Sequence, residues 1–285
     1  MQFEFAGTLS VADGRYLARD EEGDEAQRVL VVETSGAPAA PARRRRRRPR
    51  EASPTIAPTP LPLTRVTAVR AWEPFDSPRD ADDWLGRMLD AESTVDALVA
   101  EGLALLNRAL YAQAATTADP FAREMNAEQA VKVRVGYGGG EEVAAGRFSV
   151  AHEIDVGAGT SRRRQHEAEL HPQERVAAIL RGREKIDACE ILLLRARADL
   201  NGDRSREATL QLRVGLEALL VELSHALVDP GHEEDMAQLE ARRGEVGEAA
   251  NLALRGDLDA ESKRNVRELL EICERVLRRR RVLKG

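Results

Sequence analysis

The sequence predicts a mainly helical α+β protein: a helical bundle with a small N-terminal antiparallel β element and a possible central β-hairpin. Three observations lead there. Leu, Ala, Val, Arg and Glu dominate and aromatic residues make up only 4%, a composition that leans towards helices. From about Pro78 onwards, apolar residues recur at helical spacing in run after run. Before residue 36, and again over 131–156, they alternate with polar ones instead, which is the period of a half-buried strand.

The first element is the β element, residues 1–36. Phe3, Phe5, Leu9 and Val11 alternate with smaller or polar residues, and Asp13-Gly14 is a hairpin turn signal, since glycine tolerates positive φ. Residues 15–19 and the RVLVVE stretch at 28–33 supply two further strands across an acidic DEEGDE loop. Three strands of this size cannot bury their own faces. They must dock on the rest of the chain or on a second copy.

Residues 37–62 change character. Pro, Ala, Ser and Thr dominate, and Arg43, Arg44, Arg45, Arg46, Arg47 and Arg48 run without a break, followed by Arg50. Such a stretch has no core of its own and reads as a disordered linker. Residues 1–36 carry a charge of −5, the linker +6 and residues 63–285 −7, against −6 for the whole chain. The linker is therefore the one strongly basic segment of an acidic molecule.

Residues 63–285 are expected to form the bundle. Ser77-Pro78 followed by Asp80, Asp82 and Asp83 is a helix start, with cap, proline and acid each at the favoured end. The apolar stripe then runs to about Thr117. A second run covers 172–200, with Ile179, Ile186, Leu193 and Leu200 at heptad spacing, and Asn201-Gly202 ends it. The third, 203–227, is apolar almost all round and is expected to be the central buried helix. Two amphipathic helices, 233–254 and 259–281, follow, and short connections favour antiparallel neighbours.

The glycine run of VKVRVGYGGGEEV, residues 131–143, is the first stretch to test for chemistry. A dinucleotide fingerprint needs G-x-G-x-x-G between strand and helix. Gly136 and Gly138 fit, but Glu141 stands at the third position and no βαβ alternation follows. Asn126 to Gln129 is a capping box that would start a helix over 127–135, whereas Val131, Val133, Val135 and Tyr137 alternate like a strand. Either way the glycines are expected to be a helix stop or a hairpin turn.

Other constellations fall short of the chemistry they resemble. Glu222 and His225 form one E-x-x-H, and Glu184, Asp187 and Glu190 share a helix face. A carboxylate-bridged metal pair needs that motif twice. Asp199-x-Asn201-x-Asp203 opens like a calcium loop but has Arg204 where glycine is required and Leu210 where the bidentate acid belongs. His232-Glu-Glu-Asp235 follows Pro230-Gly231, so its acids match a helix start. Arg164 and His171 have the spacing of one ribonuclease motif, but Pro172 puts His171 at or before a helix start, and the match is taken as chance. Cys189 and Cys273 sit among apolar residues as reduced, buried thiols. No cofactor and no metal is expected.

What remains is the arginine run. Arg43–Arg48 with Arg50 can neutralise roughly five to seven phosphates, without the interleaved aromatics that would stack single-stranded bases. The basic end of the chain, Arg275 and Arg278–Arg281, is charge favoured at a helix C-terminus. MQFEFAGTLS has neither the basic nor the apolar region of a signal peptide, and no apolar run reaches the ~18–20 residues of a membrane span. Only four lysines stand among 43 basic residues, the mark of a GC-rich bacterial genome. The expectation is a bacterial, cytoplasmic interaction or scaffold protein with no enzymatic role. Its bundle binds protein, above all itself, and its linker attracts nucleic acid or another polyanion without sequence preference. The alternatives are a metal- or nucleotide-dependent helical enzyme, and a structural protein whose arginines are only a soluble spacer.

Overall fold

A computed structural model describes residues 1–19, 27–36, 61–71, 74–156, 173–223 and 229–284. The chain divides into two compact units, Met1–Thr160 and Ser161–Gly285. The sequence predicts a single bundle domain over 63–285; the described strands Leu63–Arg70, Ala130–Tyr137 and Val150–Ile154 and the helices Pro78–Leu89 and Glu92–Thr117 lie instead in the first compact unit. The linker assigned to 37–62 lies almost wholly outside the described residues. Among the described residues no helix is long and apolar enough to cross a membrane.

In the first unit the strands are β1 (Gln2–Ala6), β2 (Gly14–Ala18), β3 (Arg28–Ser35), β4 (Leu63–Arg70), β5 (Ala130–Tyr137) and β6 (Val150–Ile154). They form one antiparallel sheet in the order β2-β3-β4-β1-β5-β6. The N-terminal strands dock on the rest of their own unit: β4, absent from the sequence reading, pairs with both β1 and β3. One face is apolar. Phe3, Phe5, Leu30, Val32, Val66 and Val133 pack with Val99, Leu105, Leu106 and Leu110 of helix α2 (Glu92–Thr117). Gly102 makes the notch for this contact, since a Cβ there would lie 2.9 Å from Phe3.

The other face carries a row of alternating charge. In register across four strands stand Glu33, Arg65, Glu4 and Lys132. Arg65 lies 3.4 Å from Glu33 and 3.7 Å from Glu4, and Arg134 lies 3.2 Å from Glu4. Opposite charges facing across strands favour this register over a slipped one, which would set like charges together.

Helix α1 (Pro78–Leu89) starts as the sequence predicts: Ser77 Oγ accepts from the Asp80 N–H at 3.2 Å. The expected single stripe to Thr117 is two helices, parted at Asp90-Ala91. Both readings of 126–137 contain part of the answer. The Asn126–Gln129 capping box is formed, but it caps a single 3-10 turn, Ala127–Gln129. The valines then impose β5, and the central hairpin β5–β6 follows.

The second unit is the helical bundle. It comprises α4 (173–180), α5 (Ala188–Asn201), α6 (Ser205–Glu222), α7 (Pro230–Ala241), α8 (Arg243–Arg255) and α9 (Ala260–Lys284). The 172–200 run is thus broken, at Gly182 with φ 71°. The expected helix 233–254 is two helices, parted at Arg242. α6 touches α5, α7, α8 and α9 and is the central helix. Its Leu212, Leu216 and Leu219, with Leu193, Leu239, Leu269 and Val276, are fully buried. Its opposite side is not covered by the described helices.

Candidate interaction surface

The arginine run Arg43–Arg48 and Arg50 lies outside the described residues, as do Arg164, His171 and His225. The rest of the sequence-derived candidates fall at defined positions.

The glycine run stands between β5 and a short helix, α3 (Gly140–Ala144). Two of its glycines, Gly136 and Gly138, are required by close backbone approach. A Cβ on Gly136 would lie 2.3 Å from the Val150 carbonyl oxygen, and one on Gly138 would lie 2.9 Å from Ser149 N. Gly146, at φ 74°, closes the loop, and its carbonyl accepts a hydrogen bond from Gln2 Nε2 at 2.8 Å. The run is the connection of a hairpin, folded back onto the sheet.

Most of the carboxylates that could suggest a metal are engaged elsewhere. Glu222 caps α5 from another helix: its two oxygens accept the Ala188 and Cys189 N–H groups at 3.2 and 3.0 Å. These are two of the four amide groups that an α-helix cannot satisfy internally. Glu190, buried at 5% exposure, takes a forked contact from Arg175 at 2.9 and 2.7 Å. Glu184 also binds Arg175, and Asp187 binds Arg280. Asp199 is held by Arg204 at 2.9 Å across the α5–α6 turn. Among the described residues no group of three or more His, Cys, Asp or Glu is placed to hold a metal.

His232 and Asp235 are also structural. The Asp229 side chain accepts from the His232 N–H at 2.9 Å and caps α7. The ring of His232 is buried, and its Nε2–H donates to the Leu223 carbonyl at the end of α6, 3.2 Å away. Asp235 is clamped by Arg275 at 2.8 Å, with Arg279 at 3.5 Å. Three arginines of the basic C-terminal helix therefore bind the carboxylates of α5 and α7, a role that helix-end charge alone does not imply. Both thiols are buried. Burial, aided by Glu222 at Cys189 and by Glu274 at Cys273, pushes each up to about 12. Neither is a ready nucleophile, because the thiolate is the reactive form.

One groove of about 570 Å³ runs between α6 and α8, lined by Arg213, Glu217, Glu240, Arg243 and Glu248. Most of its charges already pair with one another. Arg243 binds Glu217 at 2.9 and 2.5 Å and holds that carboxyl below its ordinary range. Arg213 lies 3.6 Å from the same group.

The feature left without a role inside the bundle is the outer face of the α5–α6 hairpin. Ile191 and Leu194 on α5 stand on the side opposite the buried Cys189, Leu193, Ala196 and Leu200. Val214 and Val221 on α6 stand opposite Leu212, Leu216 and Leu219. With 3.6 residues per turn, each set forms a stripe facing away from the core. Gly215 packs against Leu192 and Leu193, so the two helices approach closely there. The signal was present in the sequence as a helix apolar almost all round. Burial on every side, which that pattern predicts, is met on one side only among the described helices. No model of a known protein family, no curated protein and no solved structure matches the chain.

Proposed function

We propose that the chain is a non-enzymatic interaction protein that pairs with a second copy through the outer face of its α5–α6 hairpin. The arginines of residues 43–50 add sequence-independent attraction to nucleic acid or another polyanion. The observation that carries the first half is the exposure of Val214 (55%) and Val221 (78%) along the outer stripe of α6, with Leu194 (58%) exposed on the outer stripe of α5. A helix apolar around its circumference is stable in water when both sides are covered, and contiguous apolar patches on the order of a few hundred Å² mark interaction sites. A second copy presents a hairpin of the same length with the same stripe. A two-fold pairing covers both at once, and two stacked antiparallel hairpins make a four-helix bundle.

Light scattering on a size-exclusion column over a dilution series tests this half. The wild-type chain is expected to run as a dimer and the Leu194→Glu, Val214→Glu double variant as a monomer that still unfolds in one cooperative transition. A wild-type chain that is monomeric across the series overturns the pairing.

The second half rests on charge. Binding to duplex DNA and to RNA, at low and high salt, is to be compared for the full chain and a variant lacking residues 43–50. The full chain is expected to bind both, with log K falling against log salt with a slope of roughly −5. The deletion is expected to abolish it. Equal and negligible affinity for both chains overturns the polyanion role. The rival of a metal-dependent enzyme loses support from the engagement of Glu222, Glu184, Asp187 and Glu190 as caps and ion pairs.

A further inference from the structure

We propose a second binding site, on the Met1–Thr160 unit: the aromatic corner of Phe75, Trp84 and Tyr137, with its flanking carboxylates, takes an arginine-bearing segment of a partner protein. The chain has only five Phe, three Tyr and two Trp, and three of these meet here. The rings of Phe75 and Trp84 are 5.5 Å apart and tilted by 49°, and those of Phe75 and Tyr137 are 6.2 Å apart and edge-on at 70°. Such angles leave ring faces that are not stacked on one another. Phe75 precedes α1 and is 42% exposed, so the cluster is not a closed core.

The carboxylates exceed what the helix needs. Ser77 and Asp80 already serve the N-terminal cap and the positive end of the dipole. Asp76, Asp82 and Asp83 stand beside them, exposed, and none is in an ion pair among the described residues. Tyr137 Oη donates to Asp82 Oδ1 at 2.5 Å, which fixes one carboxylate against one ring.

A guanidinium meets both demands in one group. It is planar and stacks on an aromatic face, and its edge makes forked hydrogen bonds to a carboxylate. A lysine ammonium offers charge without the plane. An apolar peptide would strip water from the acids without pairing them, and a nucleic acid would be repelled by them. The acidic rim therefore selects a basic peptide, and the rings select arginine within that class.

The test is fluorescence anisotropy of a labelled hexa-arginine peptide, titrated with the full chain and with a variant lacking residues 43–50, so that the chain's own arginines do not compete. Saturable binding to either is expected, with hexa-lysine weaker. Phe75→Ala and, separately, the surface change Asp83→Asn are each expected to weaken binding by ~5-fold. Tyr137→Phe keeps the ring and frees Asp82, so it is expected to retain the affinity. Melting curves identify a variant that has lost its fold, in which case Asp83→Asn decides. Equal affinity for the two peptides, or wild-type affinity in both Phe75→Ala and Asp83→Asn, overturns the proposal.

Discussion

Gly136→Ala is expected to destabilise the sheet unit by about 3 kcal/mol, at the upper end of the range for overpacking a fitted interior. The added Cβ would meet the Val150 carbonyl oxygen at 2.3 Å and the Ala151 Cα and Cβ at 2.9 Å. These are partner-strand atoms anchored in the β5–β6 pairing, where Gly136 stands opposite Ala151, so no rotamer change relieves the clash. The strands must part locally, with loss of ladder hydrogen bonds. Gly140→Ala is the matching control. It opens α3 and has nothing within 4 Å of its Cβ position, so the substitution is expected to be stabilising by roughly 0.5–1 kcal/mol, through the unfolded chain. Chemical denaturation of the two variants separates the structural role of the run from a ligand-binding one. A phosphate cradle would tolerate or resist both changes according to distance from the ligand, not according to distance from β6. A Gly136→Ala variant as stable as wild type refutes the close-approach explanation.

Glu190→Ala is expected to cost the bundle about 3 kcal/mol. It is 5% exposed, both its oxygens accept from Arg175 Nη2 at 2.9 and 2.7 Å, and it lies 3.8 Å from Arg280. Removing one partner of a buried pair typically costs ~3–5 kcal/mol, because it strands the other charge. The lower end applies here, since Arg175 keeps Glu184 and its side chain is 26% exposed, and Arg280 keeps its contact with Asp187. Glu190→Gln keeps an acceptor for Arg175 and is expected to lose only ~1–2 kcal/mol. Urea denaturation reads both. A Glu190→Ala chain indistinguishable from wild type would mean that the fork contributes no net stability. A metal-site reading of the same residue predicts instead a stability that rises with added divalent cation in the wild type alone.

These residues also show how far the sequence could be read. The helix face of Glu184, Asp187 and Glu190 was legible as a face, because helical periodicity is local. That Arg175 and Arg280 would neutralise it was not, since Arg280 lies 93 residues from Asp187. Glu222 was legible only as half of an E-x-x-H. Its use as a cap for the start of α5, more than thirty residues back in the chain, carries no local signature. The strand β4 was missed for a related reason. LTRVTAVR directly follows a Pro-rich stretch and its pattern is weak by itself, so it becomes a strand through its two neighbours, β1 and β3.

By itself the sequence determined the local elements: the alternation of β1, the Ser77-Pro78 start of α1, the Asn126 capping box, and the all-round apolar character of α6. Each follows from sterics and hydrogen bonds spanning a few residues, which neighbouring side chains are enough to specify. Tertiary structure decided which of these elements share a unit, which partners the buried charges take, and which side of α6 stays uncovered. Those outcomes depend on burial and pairing between residues far apart in the chain. The glycine run shows the division within one loop: its composition marked a reversal of the chain, and the approach of β6 decided which glycine has no substitute.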